Sequence, residues 1–479
     1  MSNEKRTKKI VIVGSGPAGC LLAWRLLHRK TTTTTYDITL LERRPDPRIA
    51  ASKGQEARTF PLALQSRGWD SMPTEIHNLL THRGAWTVGS CFHNAGKVRT
   101  MLRDKPTFTV DRNQLALALI EAVAEAVKTA AMGHSFSMQF ETSFTGRLDL
   151  EKRTIETESS NVEDEAKKGI ISFDYLIAAD GGRSRIRCAL ADQGKIEFEQ
   201  EEIPHDYRPI HFSREAPAEP VVKPKEPTRT TLLDYIWSSF FPGAPKSTAL
   251  PPIRLESDKI HAWMLPKSVR ILACPIHPGT VTGAIVFEKG QDPFKDMTSA
   301  KQVHEYFQRM APKDLGRLMT ESQAAELFTR PTSTLVSVKC DRLHADPCVL
   351  LLGDAAHAVS AAAGQGANSA LQDVQVFMQI LDNVSDDWDQ ALPAFTTERL
   401  PDAHAVREVS DYSAPRTSAM RTEMIARAML RKMLPKWLGN WLLRPLPMEC
   451  LIETNWSYTK VQEATQWWID RVKATSKNK

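Results

Sequence analysis

Apolar and polar residues recur along this chain with two different periods, and each change of period marks an element. The unbroken run Ile10–Val13 gives way to Leu22, Leu26 and Leu27 at helical spacing, which predicts strand, turn and helix. Asp37–Glu42 reads as a second strand, entered through the polar, threonine-rich connection Lys30–Thr35. Thr107–Val110 has strand character, and Asp111–Gln114 opens a helix whose Leu115, Leu119, Ala122 and Val123 share one face. A strand near Ser135–Thr142 follows, then a polar hairpin or exposed loop over 151–169. Phe173–Ala179 and Pro347–Leu352 are further apolar strands, each leading into an aspartate beside a glycine: Asp180-Gly181 and Gly353-Asp354. Gly364–Asn368 then opens a helix carrying Leu371, Val374, Met378 and Leu381.

From Ile196 to about Leu343 the pattern changes, with frequent prolines (Pro204, Pro217, Pro242, Pro251) and half-buried strands at Val269–Cys274 and Val281–Phe287. This is a β-rich unit suited to covering something held by the rest. Residues past Asp386 read as helical. With 479 residues the chain exceeds the roughly 250 to 300 at which a single core stops growing. The expected class is therefore α/β: a Rossmann-type domain built from 1–80, 104–190 and 343–385, a β-sheet domain from 81–103 and 191–342, and a C-terminal helical region over 386–479.

Chemistry enters at the first turn. The stretch Gly14-Ser15-Gly16-Pro17-Ala18-Gly19 follows a strand and opens a helix, so its amides face outward from a helix N-terminus and suit a pyrophosphate. Glu42 ends the next strand, where a carboxylate can accept hydrogen bonds from an adenosine ribose. Arg43 lies beside it, toward the adenine side. Arg112, on a helix's first turn, is placed to reach the pyrophosphate from the opposite side. These residues predict an ADP moiety without distinguishing FAD from NAD(P).

Composition narrows the alternatives. A net charge of +5, from 62 basic and 57 acidic residues, is too balanced to imply nucleic acid. Seven scattered cysteines with no Cys-x-x-Cys spacing indicate neither a disulfide framework nor a metal site. No apolar run reaches the ~18 residues of a membrane span, and Met1–Lys9 is polar, so a cytoplasmic protein is expected. The stretch 424–443 is both apolar and basic, which fits either packing on the protein's own core or peripheral membrane contact.

Three motifs in order, Gly14–Gly19 with Glu42, Asp180-Gly181-x-x-Ser184-x-x-Arg187, and Gly353-Asp354 with Gly364–Asn368, resemble the single-component FAD-dependent aromatic hydroxylases of the p-hydroxybenzoate hydroxylase group. Within it the sequence is most similar to the kynurenine 3-monooxygenases, through Arg58–Leu64, Gly353–His357, Gly364–Asn368 and Arg399–Ala405. The resemblance implies an FAD-binding domain and a β-sheet substrate domain. It implies FAD held by Gly14, Gly16, Pro17, Ala18, Gly19, Glu42, Arg43, Arg58, Ala63, Arg112, Asp180, Asp354, Gly366, Ala367 and Asn368. Asp180 and its motif would also serve a transiently docking NADPH or NADH. Oxygen would pass from a flavin C4a-hydroperoxide to an activated aromatic ring, and no residue stands out as an acid or base catalyst.

Departures from the pattern concern the substrate. Ala361-Ala362-Ala363 stands where kynurenine hydroxylases have Pro-Phe-Phe, Gly89 where a carboxylate-binding arginine is expected, and Tyr412-Ser413-Ala414 in place of Tyr-Asn-Tyr. Replacing two rings by methyls beside the flavin enlarges a cavity. The expected substrate is a bulky, uncharged aromatic or prenylated small molecule of specialised metabolism, lined by Ala361, Ala362, Ala363 and Tyr412. The alternatives are a flavin-dependent epoxidase or dehydrogenase, kynurenine hydroxylation itself, or a non-catalytic dinucleotide-binding protein, which the intact motifs disfavour. A halogenase is disfavoured because no Gly-Trp-x-Trp-x-Ile-Pro stretch is present.

Overall fold

The computed structural model describes residues 6–31, 34–52, 59–94, 97–129, 133–160, 168–216, 252–277, 279–311, 313–415 and 417–476. Arg58 and the prolines between 217 and 251 lie outside them.

The strand Arg6–Val13 runs parallel to Thr34–Leu41 on one side and Tyr175–Ala178 on the other, with Ile10 opposite both Ile38 and Tyr175. Val349–Leu351 adds beyond Tyr175–Ala178 and Ser135–Gln139 beyond Thr34–Leu41, both parallel, while the short antiparallel His344–Ala345 closes an edge of the six-stranded sheet. Continuous apolar runs suit strands covered on both faces. Ile10, Ile12, Ile38, Leu176, Ile177 and Leu350 are all fully buried, in one core with the helices Pro17–Leu27, Arg112–Thr129 and Gly366–Asn383.

The second sheet has eight strands in the order Ser333–Cys340, Phe198–Ser213, Thr280–Glu288, Arg270–His277, Lys259–Met264, Gly84–Asn94, Lys97–Asp111, Pro61–Leu64. Its side chains alternate as a half-covered sheet requires. Ile271, Ala273, Val281, Ile285 and Phe287 pack with Val303 and Phe307 of the helix Ala300–Met310. Leu272, Met264 and Phe92, at the intervening positions, are exposed on the opposite face. The strand Pro61–Leu64 belongs to this sheet because it pairs antiparallel with Phe108–Asp111, although the sequence pattern groups it with the first unit. It is tied to the helix Gly366–Asn383 of the first unit through Asn368.

The long helices Trp388–Tyr412 and Tyr458–Ser476 pack on each other, and Ser418–Met433 and Lys436–Leu442 lie outside them. Among the described residues no helix is long and apolar enough to cross a membrane.

Candidate functional site

Because the strands ending at Val13, Ala178 and Leu351 are parallel neighbours, their C-terminal turns meet at one edge of the sheet. Gly14 has φ +108°, and a Cβ there would lie 2.3 Å from the Ala179 carbonyl oxygen. A Cβ on Gly19 would lie 2.1 Å from the Gly14 carbonyl oxygen, so the helix can start against its own strand only with glycine at both positions. Gly16 meets nothing closer than 4.0 Å and faces open space. It caps Pro17–Leu27 without a side-chain hydrogen bond, and Pro17 has no N–H, so the donors of that first turn are uncapped by the protein. This is an anion cradle.

Glu42 is buried at the cradle's rim. Its Oε2 accepts from Ser15 N at 3.1 Å and Ser15 Oγ at 2.7 Å, and its Oε1 accepts from Arg44 N and Nε, each at 3.0 Å. Burial alone would raise its pKa, but the bonds from Arg44 and Ser15 outweigh burial and hold it below the usual carboxylate range. The carboxylate is thus ionised and aimed by the glycine loop itself. Arg43 is exposed, and Arg44, which no motif singled out, is the arginine that pairs Glu42.

The Asp180 motif divides in two. Ser184 Oγ caps the helix Arg185–Asp192 by accepting from Arg187 N at 3.0 Å. Arg187 is fully buried: Nη1 donates to Ala355 O at 2.8 Å, Nη2 to Gly182 O at 2.8 Å and Gln200 Oε1 at 2.6 Å, and its guanidinium lies 4.6 Å from the Phe198 ring centroid. It staples the two aspartate-bearing turns together. Asp180 remains toward the cleft, its Oδ2 accepting from Arg185 N at 2.9 Å while the buried Oδ1 has no partner. Burial raises its pKa. An unpaired buried acceptor of this kind costs about 1–3 kcal/mol, which a donor on a bound group would offset.

Gly353, at φ +58°, turns the chain so that Asp354 projects into the same cleft. Asp354 is reachable by solvent yet crowded by protein on most sides, as expected on a cleft floor, and burial raises its pKa against the nearby Arg112. A Cβ on Gly366 would have the Asp354 Oδ1 as a near neighbour, at 3.8 Å, so the uncapped N-terminus of Gly366–Asn383 opens on this carboxylate. Beneath lies a cluster in which His357 and Arg399 come from the quoted motifs and Asp373 from none. Asp373 Oδ2 accepts from Gly353 N at 2.8 Å and from His357 Nε2 at 2.7 Å, and its Oδ1 accepts from Arg399 Nε at 2.7 Å. Burial opposes ionisation of Asp373, but His357 and Arg399 hold its pKa below the usual range. The detectable signal for Arg399 was its place in the resemblance; Asp373 lies within the helix pattern and carried none.

Asn368 is fully buried. Its Nδ2 donates to Ala63 O and Gly364 O, each at 2.9 Å, and its Oδ1 accepts from Gln65 N at 2.8 Å. Its side chain joins the Pro61–Leu64 strand to the helix, leaving Gly366 and Ala367, both half-buried, at the cleft. Gln365 extends the tie, donating to Gln65 Oε1 at 2.9 Å and accepting from Tyr458 OH at 3.1 Å. Arg112 stands 6.0 Å from the Phe60 ring, which meets Tyr207 edge-on at 5.5 Å.

Ala361 and Ala362 are exposed, whereas Ala363 is buried in a cluster with Val406 and Val409 against which the half-buried Tyr412 packs. Gly89 has a guanidinium beside it after all. Arg103, from the neighbouring strand, donates through Nη2 to Gly89 O and Thr87 Oγ1, each at 3.0 Å, and its buried Nε has no partner.

These features fit FAD: an uncapped helix start for a pyrophosphate, a paired carboxylate at one end, an orphaned buried acceptor, and a second uncapped helix start at the other. Comparison with known proteins agrees. Residues 7–231 and 237–410 match the family described as FAD binding domain. A kynurenine 3-monooxygenase of Neurospora crassa is 25% identical over 92% of this chain and 83% of the relative, and one of Flavobacterium psychrophilum is 24% identical over 91% and 86%. Among solved structures, 2-methyl-3-hydroxypyridine-5-carboxylic acid oxygenase superposes with a TM-score of 0.57 at 16% identity, covering 94% of this chain and 99% of that one. A 2,6-dihydroxypyridine-3-hydroxylase of Arthrobacter nicotinovorans gives 0.53 at 16%, covering 85% and 91%.

Proposed function

We propose a cofactor arrangement and a substrate class from one premise: this chain belongs to the FAD-binding-domain family and is an FAD-dependent aromatic monooxygenase. Gly14, Gly16 and the N–H groups of Ala18 and Gly19, with Pro17 starting the helix, take the pyrophosphate, with Arg112 opposite. Glu42 faces the ribose and Arg43 and Arg44 the adenine side, and Arg58 is kept as a cofactor-binding residue on its sequence motif alone. Asp180 supplies its unpaired oxygen, and Asp354 binds a hydroxyl of the ribityl chain. The amides of Gly366 and Ala367, with Ala63 and Asn368 holding the adjoining strand, offset negative charge on the ring system. Bound FAD supplies the redox chemistry, with NADPH or NADH giving two electrons, one oxygen atom of O2 entering the substrate and the other leaving as water.

The substrate is a bulky, apolar aromatic or prenylated molecule. One observation carries this reading: Ala361 and Ala362 present bare methyls to solvent, and Leu272, Met264 and Phe92 form an exposed apolar row on the sheet's open face. Kynurenine is the second reading, favoured by the partly unpaired Arg103 beside Gly89 and by the curated relatives. Purified yellow protein should oxidise NADPH or NADH faster with apolar aromatic or polyketide-like compounds, with mass spectrometry showing a gain of one oxygen atom. Rapid, tightly coupled hydroxylation of kynurenine would overturn the bulky-substrate reading. Loss of two hydrogens, or an epoxide, would place the enzyme in another reaction class.

A further inference from the structure

The turn Ala361-Ala362-Ala363 has little of its own to hold it. Ala363 packs inward, but Ala361 and Ala362 are exposed methyls, so the position of the turn depends on how its two ends are tied. On the C-terminal side Gln365 Nε2 donates to Ala363 O at 3.0 Å and Asn368 Nδ2 to Gly364 O at 2.9 Å. On the N-terminal side Val338 N, from the strand Ser333–Cys340, donates to Ala358 O at 2.7 Å. Two residues further on, the backbone N–H of Ser360 donates to the carboxyl group of Asp411, in the last turn of Trp388–Tyr412. Ser360 Oγ in turn accepts from Ala362 N at 3.3 Å, which carries the tie into the turn itself.

Asp411 joins three elements. Its Oδ2 accepts from Ser337 Oγ of the strand at 3.2 Å and lies 3.8 Å from Arg407 Nε on its own helix. Arg407 is shared: it donates to Ser337 Oγ at 2.9 Å and to Glu199 Oε2 at 3.1 Å, and its Nη2 stands 3.5 Å from Glu201. The remaining Asp411 oxygen, Oδ1, is buried without a hydrogen-bond partner among the described residues. Burial raises the pKa of this group, and an acid in the last turn of a helix is opposed by the helix dipole. Helix stability therefore gains nothing from a carboxyl group here, whereas the turn gains its N-terminal anchor. We propose that Asp411 is a positioning residue for the hydroxylation: by holding Ser360 against Ser333–Cys340 it sets where Ala361 and Ala362 stand, and with them the width of the substrate space. This rests on the reading of those two alanines as a wall of that space. Asp411 acts through Ser360 and takes no part in the chemistry.

Hydrogen exchange read by mass spectrometry on the full-length, FAD-loaded protein follows the turn directly and needs no substrate. In Asp411→Ala, amide exchange across 358–366 should quicken at least about tenfold, while the strand Arg6–Val13 and the helix Tyr458–Ser476 keep their rates. Asp411→Asn should restore slow exchange, since its carbonyl oxygen still accepts from Ser360 N and Ser337 Oγ. Acrylamide, a small neutral quencher, should quench bound-flavin fluorescence more strongly in Asp411→Ala, because a displaced turn opens the space beside the ring. Unchanged exchange over 358–366 in Asp411→Ala would overturn the proposal. So would quickening spread over the whole chain, which marks a general folding role, or an asparagine variant as loose as the alanine one. Local loosening with wild-type quenching would support the anchor and overturn the alanine wall, so the two failures read differently.

Discussion

Asp373→Asn removes one negative charge from the most deeply buried ionic cluster beneath the flavin cleft. The side chains of Asp373, His357 and Arg399 are 1, 3 and 2% exposed, so water cannot replace what is lost. Asparagine keeps the shape but offers one carbonyl, and its NH2 must then face either Arg399 Nε or the His357 and Gly353 donors. At least one contact becomes donor against donor. Arg399 keeps Asp402 at 3.2 Å and Ser369 Oγ at 3.0 Å, so its charge is partly compensated. Breaking a buried pair from one side costs about 3–5 kcal/mol. Losing one or two charge-assisted bonds at about 1.5–3 kcal/mol each leads to the same range independently. Against a typical stability of about 5–15 kcal/mol this is a large fraction. The Gly353 turn loses an acceptor at the same time, so Asp354 is held less firmly and FAD affinity falls. Urea unfolding followed by tryptophan fluorescence, with FAD retention on gel filtration, measures both. Asp373→Leu combined with Arg399→Met should recover most of the stability, because it leaves no buried charge unpaired. A single variant within about 1 kcal/mol of wild type, with unchanged FAD retention, would refute the reasoning.

Two further outcomes follow from named contacts. Arg187→Lys should destabilise by about 1–3 kcal/mol and lower FAD content, since one ammonium cannot reach Ala355 O, Gly182 O and Gln200 Oε1 together; wild-type thermal stability and FAD content would argue against its role as a staple. Asp373 has a folded pKa below its unfolded value of about 3.9, so its stabilisation is full above that pH and is lost as pH falls through the folded value. The stability gap between wild type and Asp373→Asn should therefore narrow below about pH 4 in unfolding measurements, and a gap independent of pH would contradict the assignment.

Parts of the site were legible because they are local. Gly14–Gly19 and Gly353-Asp354 announce themselves because a backbone that must turn at positive φ or touch a neighbouring carbonyl excludes side chains. Ser184 entered only through its place in the Asp180 motif, and the structure shows it as the cap of the helix that follows. The partners of these motifs were not legible. Arg44 rather than Arg43 pairs Glu42, because the chain turns after the strand and brings the second arginine back. Arg187 is separated from Ala355 by 168 residues, and Asp373 from Arg399 by 26, so no local spacing relates them. Arg103 reaches Gly89 only across a β ladder whose register slips beside it.

The sequence by itself determined the order of elements, the two aspartate turns and the dinucleotide cradle, since hydrophobic period and glycine sterics act over a few residues. Tertiary structure decided what those turns rest on. It brought Asp180 and Asp354 to one cleft through parallel pairing, buried Arg187 and Asn368 as ties between segments, and packed one side of 418–442 while leaving Met433 and Trp437 bare. An amphipathic pattern states that one face is apolar. Which apolar face the fold covers depends on residues as distant as Trp468, and only packing supplies them.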